Sequence, residues 1–237
     1  MTTAIRLNKF FTEQGVCSRR EADRLIESGA VTVNGLVGKL GDRVTSSDVI
    51  ACNGRVISWG QAPLYIKYHK PVGVTTTSES HVARNIIAEI GHPERIFPIG
   101  RLDKDSSGLI LLTNDGDIVN DILRAEFGHE REYVVEVDRP FDQLFVDRMS
   151  GGVTVLGSQT KPCRIIRMGA KRFRIVLTEG RNRQIRRMCA TLGYRVLRLH
   201  RLRIMHITVE GLGVGEWREL TEQERDQLCE AVGRTGA

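Results

Sequence analysis

The feature that most constrains the fold is a break at residues 58–63, SWGQAP, where Gly60 and Pro63 separate two regions of different periodicity. Glycine and proline are the residues that most often interrupt regular structure. Helical spacing dominates the start of the first region, whereas alternating apolar and polar residues dominate the second. The 237 residues are enough for a small module joined to a larger one. We therefore predict two domains, over residues 1–60 and 63–237.

The first region predicts two helices followed by a few short strands. Apolar residues recur at helical spacing over residues 5–15 until Gly15 stops the pattern. Ser18 with Glu21 three residues later is a capping box, which predicts a second helix that ends at Gly29. Two Asn-Gly pairs then mark tight turns between short alternating strands.

The second region contains several alternating or apolar stretches that predict strands. They lie at residues 64–70, 109–112, 131–138, 173–179 and 196–209. Residues 184–193 instead place Ile185, Met188, Cys189 and Leu192 at helical spacing. Strands and helices interleave without a repeated βαβ period. The pattern therefore favours an α+β fold with a mainly antiparallel mixed sheet over a doubly wound fold.

Composition and short motifs exclude several classes of protein. Hydrophobic residues make up 41% and charged residues 27%, which is ordinary for a folded globular chain. No apolar run approaches the roughly 18 residues that a membrane span needs, and the first residues lack the pattern of a secretory signal. The five cysteines and six histidines show no metal-ligand spacing. We predict a cytoplasmic protein with no membrane partner and no metal.

Basic charge is concentrated in one segment. Residues 164–203 contain 12 arginines and one lysine against one acid, so they carry +12 while the other 197 residues sum to −6. Arginine presents a planar fork that matches phosphate oxygens and stacks on bases. A genomic bias towards arginine explains an excess of this residue but not its clustering. The pattern favours a polyanionic partner, with nucleic acid ahead of membrane.

Three further arginines, Arg19, Arg20 and Arg24, lie together at the start of the second predicted helix. A helix N-terminus favours phosphate binding, but a merely solvated helix face explains the same residues equally well. The surrounding string RLNKFFTEQGVCSRREADRLIESGAVTVNG resembles the small RNA-binding domain named after ribosomal protein S4, over about residues 5–50. The resemblance implies that the three arginines contact RNA.

The segment from Gly100 to Gly108 is the strongest candidate for chemistry. Its polar loop carries Asp103 and Asp105 and runs directly into an apolar strand, which is a common way to present a reactive side chain rigidly. An ionised aspartate can act as a nucleophile when it is held in place. A surface turn in which either carboxylate caps a backbone amide is the alternative. Phosphate-binding loops, serine-hydrolase elbows and zinc-peptidase motifs do not occur in the sequence.

A second loop, GRNRQIRRM, supplies a residue that can hold such a carboxylate. With Ile185 facing the core, a helical wheel puts Arg183 and Arg187 on the solvent side and Arg186 at the border of the apolar face. Arg186 can then reach inward to pair with a carboxylate while its neighbours contact phosphates. A solvated face that contains all of these arginines is the alternative.

The strings GRLDKDSSGLILLTNDG, EREYVVEV, EGRNRQIRRM and RVLRLHRLRI resemble, in order and spacing, the motifs of RNA pseudouridine synthases of the RsuA/RluB/RluE/RluF group. The resemblance extends over about residues 5–222. It implies an isomerase that converts a specific uridine of 23S large-subunit ribosomal RNA to pseudouridine, with a transfer RNA as a second candidate substrate. It implies no cofactor, because isomerisation gains and loses no atoms or electrons. Monomer is the default oligomeric state.

The resemblance also implies roles for individual residues. Asp103 is expected to be the nucleophile that attacks a flipped-out uridine, at the anomeric carbon or at the ring, and Arg186 to pair with it. Tyr133 is expected to stack on the target base, Leu199 to contact its other side, and Arg101 to help push the uridine out of its helix. The other residues expected to contact RNA flank these motifs and are Leu102, Lys104, Arg183, Gln184, Ile185 and Arg187.

Two other classes of function compete with the enzyme. A non-catalytic RNA-binding or ribosome-assembly factor explains the basic charge equally well, but it gains nothing from the Asp103 carboxylate beside RNA phosphates. A DNA-binding regulator lacks a convincing recognition helix after its two predicted helices. For Tyr133 and Leu199 taken alone, ordinary core packing is the alternative. Asp103 together with Arg186 therefore favours catalysis.

Overall fold

The structure is a computed structural model that describes residues 4–79 and 81–234. It divides into two compact units. The first extends to Leu64 and also includes His92–Ile96 and Thr113–Gly116, while the second contains the rest of the chain. The predicted division into residues 1–60 and 63–237 stays a prediction, and the sequence pattern did not indicate that two later segments belong with the first unit.

The first unit contains the two predicted helices and the short strands. In chain order its elements are β1 (Ile5–Arg6), α1 (Leu7–Glu13), α2 (Arg19–Glu27), β2 (Val31–Val33), β3 (Leu36–Val37), β4 (Arg43–Val44), β5 (Ile50–Cys52) and β6 (Arg55–Ile57). α2 begins where the capping residues predict, because the Ser18 hydroxyl accepts a hydrogen bond from the Glu21 amide at 3.2 Å. Ile5 and Arg6, predicted as the start of the first helix, form β1 instead and pair with β4.

The core of the first unit lies between its helices and strands. Phe10 and Phe11 of α1 are fully buried and pack with Ala22 and Ile26 of α2. β3, β2, β5 and β6 form an antiparallel sheet in that order. The predicted Asn-Gly turns join β2 to β3 and β5 to β6, and both asparagines have positive φ.

The elements after the break build a larger sheet with helices packed on it. In chain order they are β7 (Tyr65–Lys70), α3 (Ile86–Ile90), β8 (Phe97–Ile99), β9 (Ser107–Thr113), α4 (Gly116–Leu123), β10 (Arg131–Val137), α5 (Gln143–Ser150), β11 (Thr154–Val155), β12 (Ser158–Gln159), β13 (Arg164–Arg167), β14 (Arg172–Leu177), α6 (Gln184–Thr191), β15 (Val196–Ile204), β16 (Ile207–Thr208), β17 (Trp217–Glu219) and α7 (Glu222–Ala231). The order in the sheet is β13-β14-β10-β15-β9-β7-β17, with β8 beside β9 and β16 beside β15. β10 is antiparallel to β14 and β15, whereas β15 and β9 are parallel. The mixed, mostly antiparallel sheet confirms the predicted α+β class.

One strand prediction is wrong in its extent. Residues 196–209 form a hairpin of β15 and β16 rather than one strand. Met205 has a φ of 53°, which reverses the chain between the two strands. Alternation continues across the turn, so the sequence pattern does not reveal it.

Two apolar cores position the helices of the larger unit. In one core, α5 and α6 pack against β10 and β14, and Ile185, Met188 and Cys189 are buried as their spacing predicts. In the other, α4 and α7 pack with residues of β9 and β15. Ile185 of α6 belongs to the first core and Leu109 of β9 belongs to the second, so each candidate loop runs into a buried element.

Gly108 allows β9 and β15 to approach each other closely. Its φ is +111°, and a Cβ atom added there would lie 2.2 Å from the carbonyl oxygen of Arg201. Gly108 pairs with Arg201 in the parallel register, and the Ser107 hydroxyl is 2.9 Å from Nδ1 of His200. A side chain at this position would separate the two strands, so glycine is required at the point where the Asp103 loop enters β9.

Candidate active site

The loop that carries Asp103 connects β8 to β9 and is fastened to the segment after β7. Thr76 Oγ1 donates to the carbonyl oxygen of Leu102 at 2.7 Å and accepts a hydrogen bond from its amide at 3.3 Å. The Gly73 amide donates to the carbonyl oxygen of Lys104 at 2.7 Å. Because the backbone on both sides of Asp103 is held, its side chain is presented from a fixed position.

A buried lysine supports the other end of the loop. Lys70, the last residue of β7, is fully buried, and its Nζ donates to the carbonyl oxygens of Ser106 at 2.8 Å and Pro71 at 2.9 Å. Burial lowers the pKa of Lys70 to about 8, while the negative charges of Asp103 and Asp105 act in the opposite direction. The ammonium group therefore supplies positive charge close to both carboxylates.

Two arginines approach the Asp103 carboxylate. Arg183 Nη1 lies 3.4 Å from Oδ2, and Arg186 Nε lies 3.8 Å from the same oxygen. The side chain of Arg186 is 12% exposed and that of Asp103 is 26% exposed. The structure thus brings together the two residues that the motifs predicted, at the distance of an ion pair rather than of a hydrogen bond. Within the described residues, Arg186 Nε has no hydrogen-bond partner.

The rest of the Arg186 guanidinium contacts the neighbours of Asp103. Nη2 donates to the carbonyl oxygen of Asp105 at 2.9 Å and to Ser106 Oγ at 3.1 Å, and Nη1 donates to the carbonyl oxygen of Val196 at 3.2 Å. These bonds connect the loop, α6 and β15 through one side chain. A planar guanidinium presents its donors on three separate nitrogens, so one side chain can make all of these bonds at once.

The helical wheel predicted an exposed Arg183, and its side chain is 42% exposed, although the residue is not part of the helix. Arg183 is the N-cap residue of α6 and has left-handed backbone angles, φ 50° and ψ 34°, so it is outside the helix that the wheel describes. Its guanidinium turns to the carboxylate of Asp105, with hydrogen bonds of 3.1 and 3.2 Å. Arg187 is within the helix but is half-buried, and it donates to Asn182 Oδ1 at 2.8 Å. Contacts of Arg183 and Arg187 with RNA phosphates stay predictions.

Asp105 differs from Asp103 in its surroundings, although the same arginines contact both. Burial by itself raises the pKa of Asp105, but the hydrogen bonds from Arg183 and the charge of Arg186 outweigh it and lower the pKa below its ordinary value. The Asp105 side chain is 50% exposed and lines a shallow surface cleft beside Lys104. Asp105 is therefore a surface partner of the two arginines, whereas Asp103 also faces a second cleft.

That second cleft, named the Asp103 cleft, contains the aromatic and the apolar residue that the motifs predicted. Tyr133 of β10 is half-buried and Leu199 of β15 is 8% exposed, and both line the cleft together with Asp103. The remaining lining residues come from the two candidate loops and β14: Arg101, Leu102, Ser106, Leu177, Glu179, Gly180, Arg181, Arg183, Gln184 and Ile185. A carboxylate, an aromatic ring and an apolar side chain thus meet in one concave site bounded by arginines, which is the default position for an active site.

An adjoining cleft, named the arginine cleft, shares Asp103 and Tyr133 with the first. Its lining residues are Ile99, Gly100, Arg101, Asp103, Leu123, Arg131, Tyr133, Gly180, Arg181, Asn182, Arg183 and Arg201. The exposed side chain of Arg101 borders both clefts. Arg101 is therefore beside Asp103 and accessible, as its predicted role requires.

The other residues predicted to contact RNA have unequal access. Lys104 is exposed, whereas Leu102 is 6% exposed and lies at the wall of the Asp103 cleft. Gln184 and Ile185 also line that cleft, but each is only 4% exposed. In the first unit, Arg19, Arg20 and Arg24 are all exposed on α2, and Arg24 donates to Glu21 Oε2 at 3.0 Å. These RNA contacts stay predictions.

Sequence analysis missed four buried charged residues, of which three line the two clefts and the fourth, Lys70, contacts the lining residue Ser106. They are Lys70, Arg131, Glu179 and Arg201. Glu179 accepts a hydrogen bond from Gln184 Nε2 at 2.8 Å, which braces the loop before α6. The signal for Lys70, Arg131 and Arg201 is a charged residue within a strand that is otherwise apolar on the same face. That signal needs the sheet order before it can be recognised.

Comparison with known families and proteins finds matches over most of the chain. The model of the RNA pseudouridylate synthase family matches residues 64–191, and the model of the S4 domain matches residues 5–50. The Dual-specificity RNA pseudouridine synthase RluF of Salmonella typhi is 50% identical over 97% of this chain and 80% of its own length. The Ribosomal large subunit pseudouridine synthase B of Bacillus subtilis is 35% identical over 94% of this chain and 95% of its own length.

A solved structure matches the whole architecture. The crystal structure of a pseudouridylate synthase superimposes with a TM-score of 0.70 and 30% sequence identity, over 94% of this chain and 99% of that one. Across residues 4–79 and 81–234, no helix is long and apolar enough to cross a membrane. Within the same residues, no group of three or more His, Cys, Asp or Glu side chains is arranged to hold a metal ion.

Proposed function

Because the chain belongs to the RNA pseudouridylate synthase family, we propose that it isomerises a uridine of large-subunit ribosomal RNA with Asp103 as the nucleophile. Membership of this family identifies the chain as an isomerase that acts on RNA. The observation that supports the assignment of Asp103 is the Asp103 cleft, where this carboxylate, Tyr133 and Leu199 line one site bounded by arginines. Asp105 contacts the same arginines but lines a different, shallow surface.

The proposed reaction needs the uridine outside its helix. Arg101 enters the space that the base leaves, and the base lies in the Asp103 cleft between Tyr133 and Leu199. Asp103 attacks the anomeric carbon or the ring, and the bond between that carbon and N1 of uracil breaks. Uracil turns and its C5 bonds to the anomeric carbon, the bond to Asp103 breaks so that the carboxylate is regenerated, and C5 loses its proton while N1 gains one. Atoms and electrons balance, so the reaction requires no cofactor.

In this mechanism Arg186 and Lys70 act through the position and charge of Asp103. Arg186 orients the carboxylate through its ion pair and holds the loop through Ser106 and the Asp105 carbonyl oxygen. Lys70 fixes the end of the loop and keeps positive charge near the carboxylate. A nucleophile held in this way loses little freedom when the substrate arrives, which favours the attack.

Ribosomal RNA of the large subunit is the substrate that the relatives favour. The Bacillus subtilis relative is named for the ribosomal large subunit, and the Salmonella typhi relative is named a dual-specificity enzyme. We therefore propose a 23S RNA substrate and a transfer RNA as a second one. The protein then acts in the cytoplasm as a monomer, and Arg19, Arg20 and Arg24 of the first unit add an RNA contact outside the catalytic clefts.

The catalytic assignment is tested with a matched pair of variants. Asp103→Asn and Asp105→Asn make the same change in one loop, next to the same two arginines. Turnover is measured as release of tritium from RNA labelled at uridine C5, and affinity is measured by filter binding. We expect Asp103→Asn to bind RNA and form no pseudouridine, because the amide has the shape of the carboxylate but is not a nucleophile. Asp105→Asn should keep turnover within roughly tenfold, since only a surface ion pair is lost.

Measurable turnover by Asp103→Asn would overturn the assignment, and so would an equal loss in both variants. The substrate is tested separately by mapping pseudouridines in ribosomal and transfer RNA from a deletion strain and from the same strain carrying the gene. We expect at least one site in 23S RNA to be lost and restored. If every 23S site persists in the deletion strain, the proposed substrate is wrong.

A further inference from the structure

Arg131 and Arg201 are two buried guanidinium groups on neighbouring strands. Arg131 of β10 is 6% exposed and Arg201 of β15 is 3% exposed. Arg131 Nη2 donates to the carbonyl oxygen of Ile122 at 3.0 Å, and Arg201 Nε donates to the carbonyl oxygen of Leu109 at 2.6 Å. Both contacts are to neutral acceptors and leave the charges uncompensated.

Buried charges in proteins are ordinarily paired with an opposite charge, because transfer of an ion out of water is costly. No carboxylate of residues 4–79 and 81–234 lies within ion-pair distance of Arg131 or Arg201, although Arg203 on the same strand contacts Glu130 at 2.7 Å and Glu132 at 2.9 Å. Nη2 of Arg201 is buried with no hydrogen-bond partner in this part of the chain. The two arginines therefore lack the anion that their neighbour has.

Both groups line the arginine cleft beside the candidate active site. Tyr133 is opposite Arg201 in the strand register, and the Arg201 guanidinium carbon is 5.9 Å from the centre of the Tyr133 ring. Arg131 is two residues from Tyr133 on the same strand, so their side chains share one face of the sheet. The cleft that both arginines line also contains Asp103. An anion bound there would lie next to a base stacked on Tyr133.

We propose that Arg131 and Arg201 form an anion subsite that binds a phosphodiester group of the substrate RNA adjacent to the target nucleotide. The inference rests on the proposed function for the identity of the RNA, and on the buried, uncompensated guanidinium groups for the site itself. A phosphodiester is the anion that every RNA carries next to a flipped nucleotide, and guanidinium groups match its oxygens. The contact fixes the backbone after extrusion, when stacking no longer holds the nucleotide.

The site itself is tested with inorganic phosphate and the full-length wild-type protein. The Nε–H signals of the arginines are followed by ¹⁵N NMR during the titration and assigned with Arg131→Lys and Arg201→Lys. We expect saturable shifts of the Arg131 and Arg201 signals, while the signal of Arg203, already held by two glutamates, stays in place. Unchanged Arg131 and Arg201 signals would overturn the proposal, as would shifts of all arginine signals together.

The role in RNA binding is tested by the salt dependence of affinity for a ribosomal RNA fragment. Arg201→Met is compared with Arg203→Met, after thermal unfolding has shown that both variants are folded. We expect the log–log salt slope to fall by about 0.7–0.9 for Arg201→Met, the value for one lost phosphate contact, and to stay unchanged for Arg203→Met.

If Arg201→Met does not fold, Arg201→Lys takes its place. Arg201→Lys keeps the positive charge, so the salt slope should stay unchanged. The single ammonium group cannot reach both the Leu109 carbonyl oxygen and a phosphate, so the affinity for RNA should fall. A wild-type slope for Arg201→Met, or wild-type affinity for Arg201→Lys, would refute the subsite. Absence of pseudouridine formation by the wild type would instead refute the proposed function, since neither measurement of the subsite depends on turnover.

Discussion

Gly108→Ala tests whether the close approach of β9 and β15 holds the catalytic loop in place. The added Cβ atom would lie 2.2 Å from the carbonyl oxygen and 2.5 Å from the nitrogen of Arg201. A carbon and an oxygen atom in contact are normally roughly 3.3 Å apart, so the strands have to separate by about 1 Å. Gly108 is followed directly by the buried strand residues Leu109 and Ile110, which leaves the strand little room to shift.

The expected loss of stability has two parts. A side chain at a φ of +111° costs about 1–3 kcal/mol in backbone strain. Separation of the strands weakens about two backbone hydrogen bonds, each worth about 1 kcal/mol. The total of about 3–5 kcal/mol corresponds to a fall of roughly 6–20 °C in the Tm of a unit of this size. Because the Asp103 loop enters β9 at this glycine, a shift of about 1 Å should also slow turnover about 100-fold.

Urea unfolding and single-turnover kinetics measure the two effects. Gly211→Ala is the control, because Gly211 also has positive φ, +74°, but no atom lies within 4 Å of its added Cβ. We expect this control to lose about 1 kcal/mol from backbone strain alone and to keep its rate. If Gly108→Ala is no less stable than Gly211→Ala, the close approach does not constrain the strands and the reasoning is refuted.

Three other predictions concern separate parts of the chain. Arg186→Ala should lower the single-turnover rate about 100-fold with little change in RNA affinity, because it removes the groups that orient the Asp103 loop. Arg187→Ala is the control and should keep the rate; equal rate losses in the two variants would contradict the role of Arg186 in orienting Asp103. Hydrogen bonds from Arg218 outweigh burial and lower the pKa of Glu224 to about 2. The ionised Glu224 therefore contributes fully to stability above pH 4.5, and this contribution is lost as the pH falls towards 2. Glu224→Gln should therefore flatten the fall in the free energy of unfolding between pH 5 and pH 2, measured with urea, and an unchanged pH profile would show that the carboxylate is not responsible. Ser18→Ala should destabilise the first unit by about 1 kcal/mol through loss of the N-cap of α2, and unchanged urea unfolding of that unit would show that the cap contributes nothing.

Local features of the sequence determined most of the secondary structure. α2 begins at the predicted cap, Ser18, and the core-facing residues of α6 are those that helical spacing indicated. The same short-range patterns placed Asp103 in a loop before a buried strand. These predictions succeed because capping, side-chain periodicity and turn formation depend on residues within about four positions of one another.

Backbone conformations that break a regular element were less predictable. The wheel predicted that Arg183 is exposed, which the structure confirms, but it did not predict the contact with Asp105, because Arg183 precedes α6 and has left-handed backbone angles. The turn at Met205 was not predicted because the alternation of apolar and polar residues in β15 continues into β16. In both cases one residue with positive φ changed the direction of the chain. Neither residue is a glycine or an asparagine, the types from which a positive φ can be predicted.

Only the tertiary structure decided which charges meet. Lys70 bonds to the carbonyl oxygen of Ser106, 36 positions away, and Arg183 bonds to Asp105, 78 positions away. Arg131 and Arg201 became neighbours because β10 and β15 pair in the sheet, although other strands lie between them in the chain. Periodicity tells which face of a strand is buried, but not which strand lies beside it. That order is set by the packing of the whole sheet and its helices, so the sequence alone could suggest the reacting groups but not the buried charges around them.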